Sequence, residues 1–126
     1  MAKEIHGSHW LDREDVGNVT VVRLKTLKML DDAATKDVFD PIYSLSNIGR
    51  NQLVLNLGVV EYVASMTLGK LIMLNRKTQA ANGRLALCHL TPTIKDILES
   101  TRLISLFNVY ATEEEALKSF AADLPA

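Results

Sequence analysis

From residue 52 onward the apolar residues of this chain switch back and forth between two periods, and that alternation constrains the fold more than any other feature. Residues 52–57 (QLVLNL) form a short apolar run of strand type, interrupted only by Asn56. A tight polar turn follows at Ala64-Ser65-Met66-Thr67. Residues 68–82 then carry apolar side chains at Leu68, Leu71, Ile72, Met73, Leu74, Ala80 and Ala81, a helical stripe suited to lie against a sheet. Asn82-Gly83 ends that helix in the left-handed conformation. Residues 84–90 (RLALCHL) return to strand type, and Thr91-Pro92 supplies an N-cap followed by proline at the first helical position. The helix so opened turns Ile94, Ile97 and Leu98 inward; residues 106–110 read as a last short strand. Thr112 with Glu115 matches a capping box for a final helix packed through Ala116, Leu117 and Phe120. Strands that alternate with helices pair in parallel through right-handed crossovers.

The first half is simpler. Residues 1–9 are polar and read as a flexible N-terminal segment, leaving 10–126 as one domain. Residues 10–16 suggest an edge strand, Gly17-Asn18 a turn, and Val19–Leu24 (VTVVRL) a β-branched strand. After a link at 25–29, Asp31 and Asp32 offer cap chemistry for a helix over about 33–48, with Val38, Ile42, Leu45 and Ile48 as its buried face. Pro41 implies a kink or an interruption, and Gly49 a stop. The fold class is therefore α/β: a mixed, mainly parallel sheet of four to five strands, with about four helices packed against it and the first strand or two at an edge.

Composition narrows the function. With 126 residues, 48% hydrophobic and a net charge of −1, the chain is long enough for one core and has no basic block to attract nucleic acid. No apolar run is long enough for a membrane, and MAKEIHGSHW has no signal-peptide core. The single cysteine, Cys88, excludes an internal disulfide and points to the reducing cytoplasm. His6 and His9, with only His89 besides, do not complete a metal site. Neither a Gly-rich phosphate loop nor a G-x-S-x-G elbow is present. Cys88 and His89 are adjacent on a strand and so face opposite ways, which is wrong for a nucleophile and its base. Glu113-Glu114-Glu115 reads as first-turn charge that complements a helix dipole. The expectation is a protein that is not an enzyme and uses no cofactor or metal.

The stretch LNLGVVEYVASMTLG resembles the signature of STAS domains, the fold of bacterial anti-sigma factor antagonists. The resemblance runs from about Val19 to Phe120 and takes in GRLALCHLTPTIKDIL and RLISLFNVYATEEEAL. It implies a regulatory protein-binding domain whose partner is an anti-sigma factor or related switch kinase. Family members with a switch carry Asp-Ser-Ser-Gly at the turn and are phosphorylated on the second serine. Aligned without a gap, those positions fall on Ala64, Ser65, Met66 and Thr67, followed by Leu68-Gly69. The usual phosphoacceptor is thus replaced by Met66.

A phosphate would bring about −1.5 to −2 charges, whereas methionine can be buried in a contact for roughly 1.5–3 kcal/mol. The expected contact residues are Glu61, Tyr62, Ser65, Met66, Thr67 and Gly69, with the partner bound without phosphorylation at the usual position. Ser65 or Thr67 is the alternative acceptor, and a plain helix cap is the simplest role for either. Asn56 is expected to brace the loop by bonding its backbone. Two further readings stay open: a module sensing a nucleotide or small anion at the helix start, against which no Lys or Arg lies between Gly58 and Gly69, and a structural subunit of a larger signalling assembly. A homodimer is left open as well.

Overall fold

A computed structural model of the chain describes residues 5–7, 11–25, 28–29 and 32–122. His9, Trp10 and Asp31 lie outside the described residues, as does the 124–125 pair (Leu-Pro) that the sequence suggests as the end of the fold. The elements run β1 (Ile5–Gly7), β2 (Leu11–Val16), β3 (Val19–Leu24), β4 (Lys28–Met29) and α1 (Asp32–Ser44), whose end tightens into a 3-10 turn at Leu45–Ile48. Then come β5 (Gln52–Asn56), β6 (Tyr62–Val63), α2 (Ser65–Ala80), β7 (Arg84–Cys88), α3 (Pro92–Ser100), a 3-10 turn at Ile104–Leu106, β8 (Asn108–Tyr110) and α4 (Glu113–Ala122).

The main sheet is mixed and has the order β1-β2-β3-β5-β7-β8. Its first three strands pair antiparallel, with Val16 opposite Val19 across the Gly17-Asn18 turn; β3, β5, β7 and β8 pair in parallel. The α/β architecture and the parallel run expected from the alternating periods are both present. One strand lies beyond the expected set, because β1 adds to the outer edge of β2. A separate two-strand parallel pair joins β4 to β6, two segments too short to carry a period of their own.

Strand alternation sends side chains to two faces. Val22, Leu24, Leu53, Leu55, Leu85 and Leu87 build the larger core with residues of α1, α2 and α3. Val21, Val54, Ala86 and Cys88 point the other way and are sealed by Ala116 and Phe120 of α4. Three helices therefore lie on one side and one on the other.

Two expected faces need correction. Ile48 was expected inward with Val38, Ile42 and Leu45, but it is 61% exposed. The last turn has narrowed to 3-10 geometry, and Arg50 N donates back to Leu45 O as the chain reverses at Gly49. In α2, Met73, Ala80 and Ala81 were placed against the sheet, yet they are exposed. The buried arc is Thr67, Leu71, Leu74, Asn75 and Thr78, a set at helical spacing that includes three polar residues. They are tolerated because bonds are made locally: Thr78 Oγ1 donates to Asn75 O and Asn75 Nδ2 to Leu106 O. Asn75 Oδ1 finds no hydrogen-bond partner among the described residues.

The end of α2 also divides its labour differently from the expectation. Asn82 takes the left-handed conformation at φ 61°, whereas Gly83 serves a close approach. A Cβ there would lie 2.0 Å from Asn51 O.

Candidate functional site

The parallel strands β5 and β7 end on the same edge, and each feeds a connection that leads into a helix, α2 or α3. The longer connection, residues 57–64, is held by its own chemistry. Leu57 N donates to Cys88 O at 3.1 Å, and Val60 N to Leu57 O at 3.0 Å. Asn56 Oδ1 accepts from Gly58 N at 2.8 Å. Thr91 Oγ1 donates to Val60 O at 2.9 Å while accepting from Ile94 N, so one hydroxyl caps α3 and ties the loop to it. Leu57, Val60 and Val63 point into the core; Val59, Glu61 and Tyr62 point out. The pairing of Tyr62 with Lys28 and of Val63 with Met29 fixes the last two loop residues before the helix.

The helix starts earlier than the sequence suggests. Ala64 is its N-cap and has no side-chain oxygen to offer, so Ser65, Met66 and Thr67 form the first helical turn instead of the turn before it. Thr67 N donates to Ala64 O at 2.9 Å. Neither Ser65 nor Thr67 occupies the cap position. Side-chain placement separates the expected contact residues sharply: Glu61, Tyr62, Ser65, Met66 and Gly69 are exposed, whereas Thr67 is fully buried.

Beyond the first turn, α2 continues one outward face through Met66, Gly69, Lys70, Met73, Arg76 and Lys77, which recur at helical spacing. Among its residues Ser65–Ala80 there is no Asp or Glu. Lys70 and Lys77 sit over the Tyr43 ring, 5.7 and 5.6 Å from its centre, and Tyr43 Oη donates to Lys70 O. Burial and the nearby Asp40 push the Tyr43 hydroxyl pKa up.

A second cluster, which sequence reasoning missed, lies behind this edge on the α4 side. The register sets Arg23 beside Asn56 and Asn56 beside Cys88, so three adjacent strand ends present one row toward the start of α4. Arg23 donates a two-pronged pair of bonds, both 2.8 Å, to the Glu113 carboxylate and meets Glu14 at 2.9 Å. Asn56 Nδ2 donates to Glu113 Oε2 at 2.6 Å. His89, at φ 55°, places Nε2 to accept from Glu113 N at 3.4 Å. A cleft of roughly 560 Å³ opens over Glu14, Arg23, His89, Thr112, Glu113 and Leu117. The Arg23 bonds, with help from Asn56 and His89, hold the Glu113 carboxyl below its ordinary pKa. Arg23 is correspondingly held further into its charged form. One sequence signal pointed here: an arginine within the apolar strand VTVVRL requires a partner.

Cys88 is fully buried and burial pushes its thiol up to about 12, far from the thiolate that nucleophilic chemistry requires. No group of three or more His, Cys, Asp or Glu among the described residues is placed to hold a metal ion. No described helix is long and apolar enough to cross a membrane.

Comparison with known proteins gives a consistent result. The family model described as the STAS domain matches residues 11–116. BtrV of Bordetella bronchiseptica, a proposed anti-sigma factor antagonist, is 30% identical over 77 residues, which span 61% of this chain and 66% of BtrV. The structure of the anti-sigma factor antagonist SpoIIAA in its unphosphorylated form superposes with a TM-score of 0.75 at 21% identity, covering 91% of this chain and 99% of that one. An anti-sigma-factor antagonist (STAS) domain protein of Planctomyces limnophilus superposes at 0.77 and 19% identity, covering 88% and 97%. At such identities the two superpositions speak for the fold.

Proposed function

The chain belongs to the STAS domain family, and from that premise we propose that it is a non-enzymatic regulatory domain of the anti-sigma factor antagonist type. It docks an anti-sigma factor or a related switch kinase in the cytoplasm, through the 57–64 loop and the outer face of α2. The observation that carries this reading is the exposure of large apolar side chains along that loop and helix: Val59 at 45%, Tyr62 at 46%, Met66 at 42% and Met73 at 52%. Isolated exposed apolar residues need no explanation, but a succession along one loop and one helix face suits a partner.

Gly69 adds to the argument. A Cβ at this position would meet nothing within 4 Å among the described residues, so none of them requires a glycine here. A helical glycine costs roughly 0.5–1 kcal/mol relative to alanine, a cost that close approach by a partner would explain. Lys70, Arg76 and Lys77, without a single carboxylate on the helix, suit a partner surface that is acidic around an apolar centre.

Met66 stands at the usual phosphoacceptor position, and we assign it the role of a contact residue without a switch at that place. Of the hydroxyls on either side of it, Ser65 is the one a kinase would reach. Intact-mass spectrometry of the protein from its native cells reads whether Ser65 is used.

The test is a calorimetric titration with a purified anti-sigma factor kinase from the same cells. Saturable binding by the natural chain and an affinity at least about tenfold weaker for Met66→Asp, as expected for a charge forced into an apolar contact, support the reading. Equal affinity of the two would move the interface elsewhere.

A further inference from the structure

Asn56 is the last residue of β5, and its amide is bonded at both ends. Nδ2 donates to Glu113 and Oδ1 accepts from Gly58 N. An amide with its nitrogen committed in one direction has its oxygen committed in the other, so the Glu113 carboxylate decides where Oδ1 points. Glu113 is in turn immobilised by the Arg23 fork, and Arg23 by Glu14 on the neighbouring strand. The backbone N–H of Glu113 is engaged by His89, the residue that follows β7. Gly58 is closely surrounded: a Cβ there would lie 3.0 Å from Asn56 Oδ1 and 3.3 Å from His89 Cβ. A continuous chain of bonds thus runs from β2, through the helix behind the sheet, to the first residues of the loop on the edge.

We propose that Glu113 is a positioning residue for the 57–64 loop, setting the conformation of the docking edge from the opposite side of the sheet. The proposal concerns regulation of the surface assigned under the proposed function and rests on that assignment for its biological meaning. Its physical content does not need a partner. Without the carboxylate the Asn56 amide turns freely, Gly58 N loses a prepared acceptor, and the loop that presents Val59, Glu61 and Tyr62 opens more often. Any event in the α4 cleft that draws Glu113 or Arg23 away acts on the docking loop by this route.

Amide hydrogen exchange of the full chain, followed by NMR at single residues, tests it. Glu113→Ala is expected to speed exchange at Gly58 by about tenfold, the scale of one lost charge-assisted hydrogen bond, while Leu85 and Leu87 in the central strand stay within about twofold of the natural protein. Glu113→Gln, which retains an acceptor for Asn56 Nδ2, is expected to stay within about threefold at Gly58 although it weakens the Arg23 pair. Glu114→Ala, one residue on and paired with Lys118 at the surface, is the control and is expected to change nothing. Unchanged exchange at Gly58 in Glu113→Ala overturns the proposal. So does an equal rise at Gly58, Leu85 and Leu87 in both Glu113 variants, which would mark a general loss of stability. Because exchange is read on the free chain, failure here leaves the partner assignment standing, and failure of the kinase titration leaves this result standing.

Discussion

Gly69 and Gly83 illustrate opposite uses of a missing side chain. Gly83→Ala would drive a methyl group into the Asn51 carbonyl, and a loss of about 1–3 kcal/mol is expected in urea denaturation, the usual scale of overpacking. Gly69→Ala has open space around it and is expected to gain about 0.5–1 kcal/mol in the same measurement while weakening the partner complex. A stabilised variant with undiminished binding would remove Gly69 from the interface. Neither role was legible in the sequence. Gly83 reads as half of an Asn-Gly helix stop, because sequence conveys which residues tolerate a left-handed backbone and not which carbonyl lies overhead. Ser65 and Thr67 make the same point: alike as letters on either side of Met66, they differ completely in access because one faces water and the other the core.

Elements were legible where the signal is local. The Thr91-Pro92 start of α3, the Thr112–Glu115 box before α4 and the strand β3 follow from chemistry within a few residues, and the bonds from Ile94 N to Thr91 and from Glu115 N to Thr112 are there. The helix α2 was legible as a helix and misjudged as a surface. The phase of the helix and not the polarity of its residues selects the buried face, so Met73 is left outside while Thr67, Asn75 and Thr78 go in. Thr91→Ala removes both the cap and the tie to Val60 O, and a loss of about 1 kcal/mol is expected in urea denaturation. At the opposite flank, Lys70→Glu with Lys77→Glu is expected to slow partner association by at least about tenfold at low salt, with the gap closing as salt rises. Stopped-flow association rates check this, and a salt-independent rate in the natural chain would mean that the basic face takes no part.

For the molecule as a whole, the parallel topology could be derived from alternation and crossover rules, whereas the Arg23–Glu113 pair could not. The two residues are separated by ninety positions, and only the three-dimensional register brings them together. That pair has a consequence for acid stability. Glu113, held below its ordinary pKa chiefly by the Arg23 bond, and Asp15, held down chiefly by Arg13, both bind protons more readily in the unfolded chain. Their stabilisation is complete above the ordinary carboxylate values of 4.5 and 3.8 and is lost as pH falls through those values toward the lower folded ones. Urea midpoints measured from pH 7 down to pH 3 are expected to hold steady to about pH 5 and then drop. Arg23→Gln should flatten the part of the drop that belongs to Glu113.

The lone thiol offers a way to watch the molecule breathe. Cys88 lies beneath α4 and burial pushes its thiol up to about 12, so while the layers remain closed iodoacetamide has no path to the sulfur and there is no thiolate to attack it and displace iodide. Alkylation then keeps time for the lifting of that helix. In mild urea, labelling is expected to track global unfolding, and a much faster uptake of label would reveal that the lid behind the sheet comes off by itself.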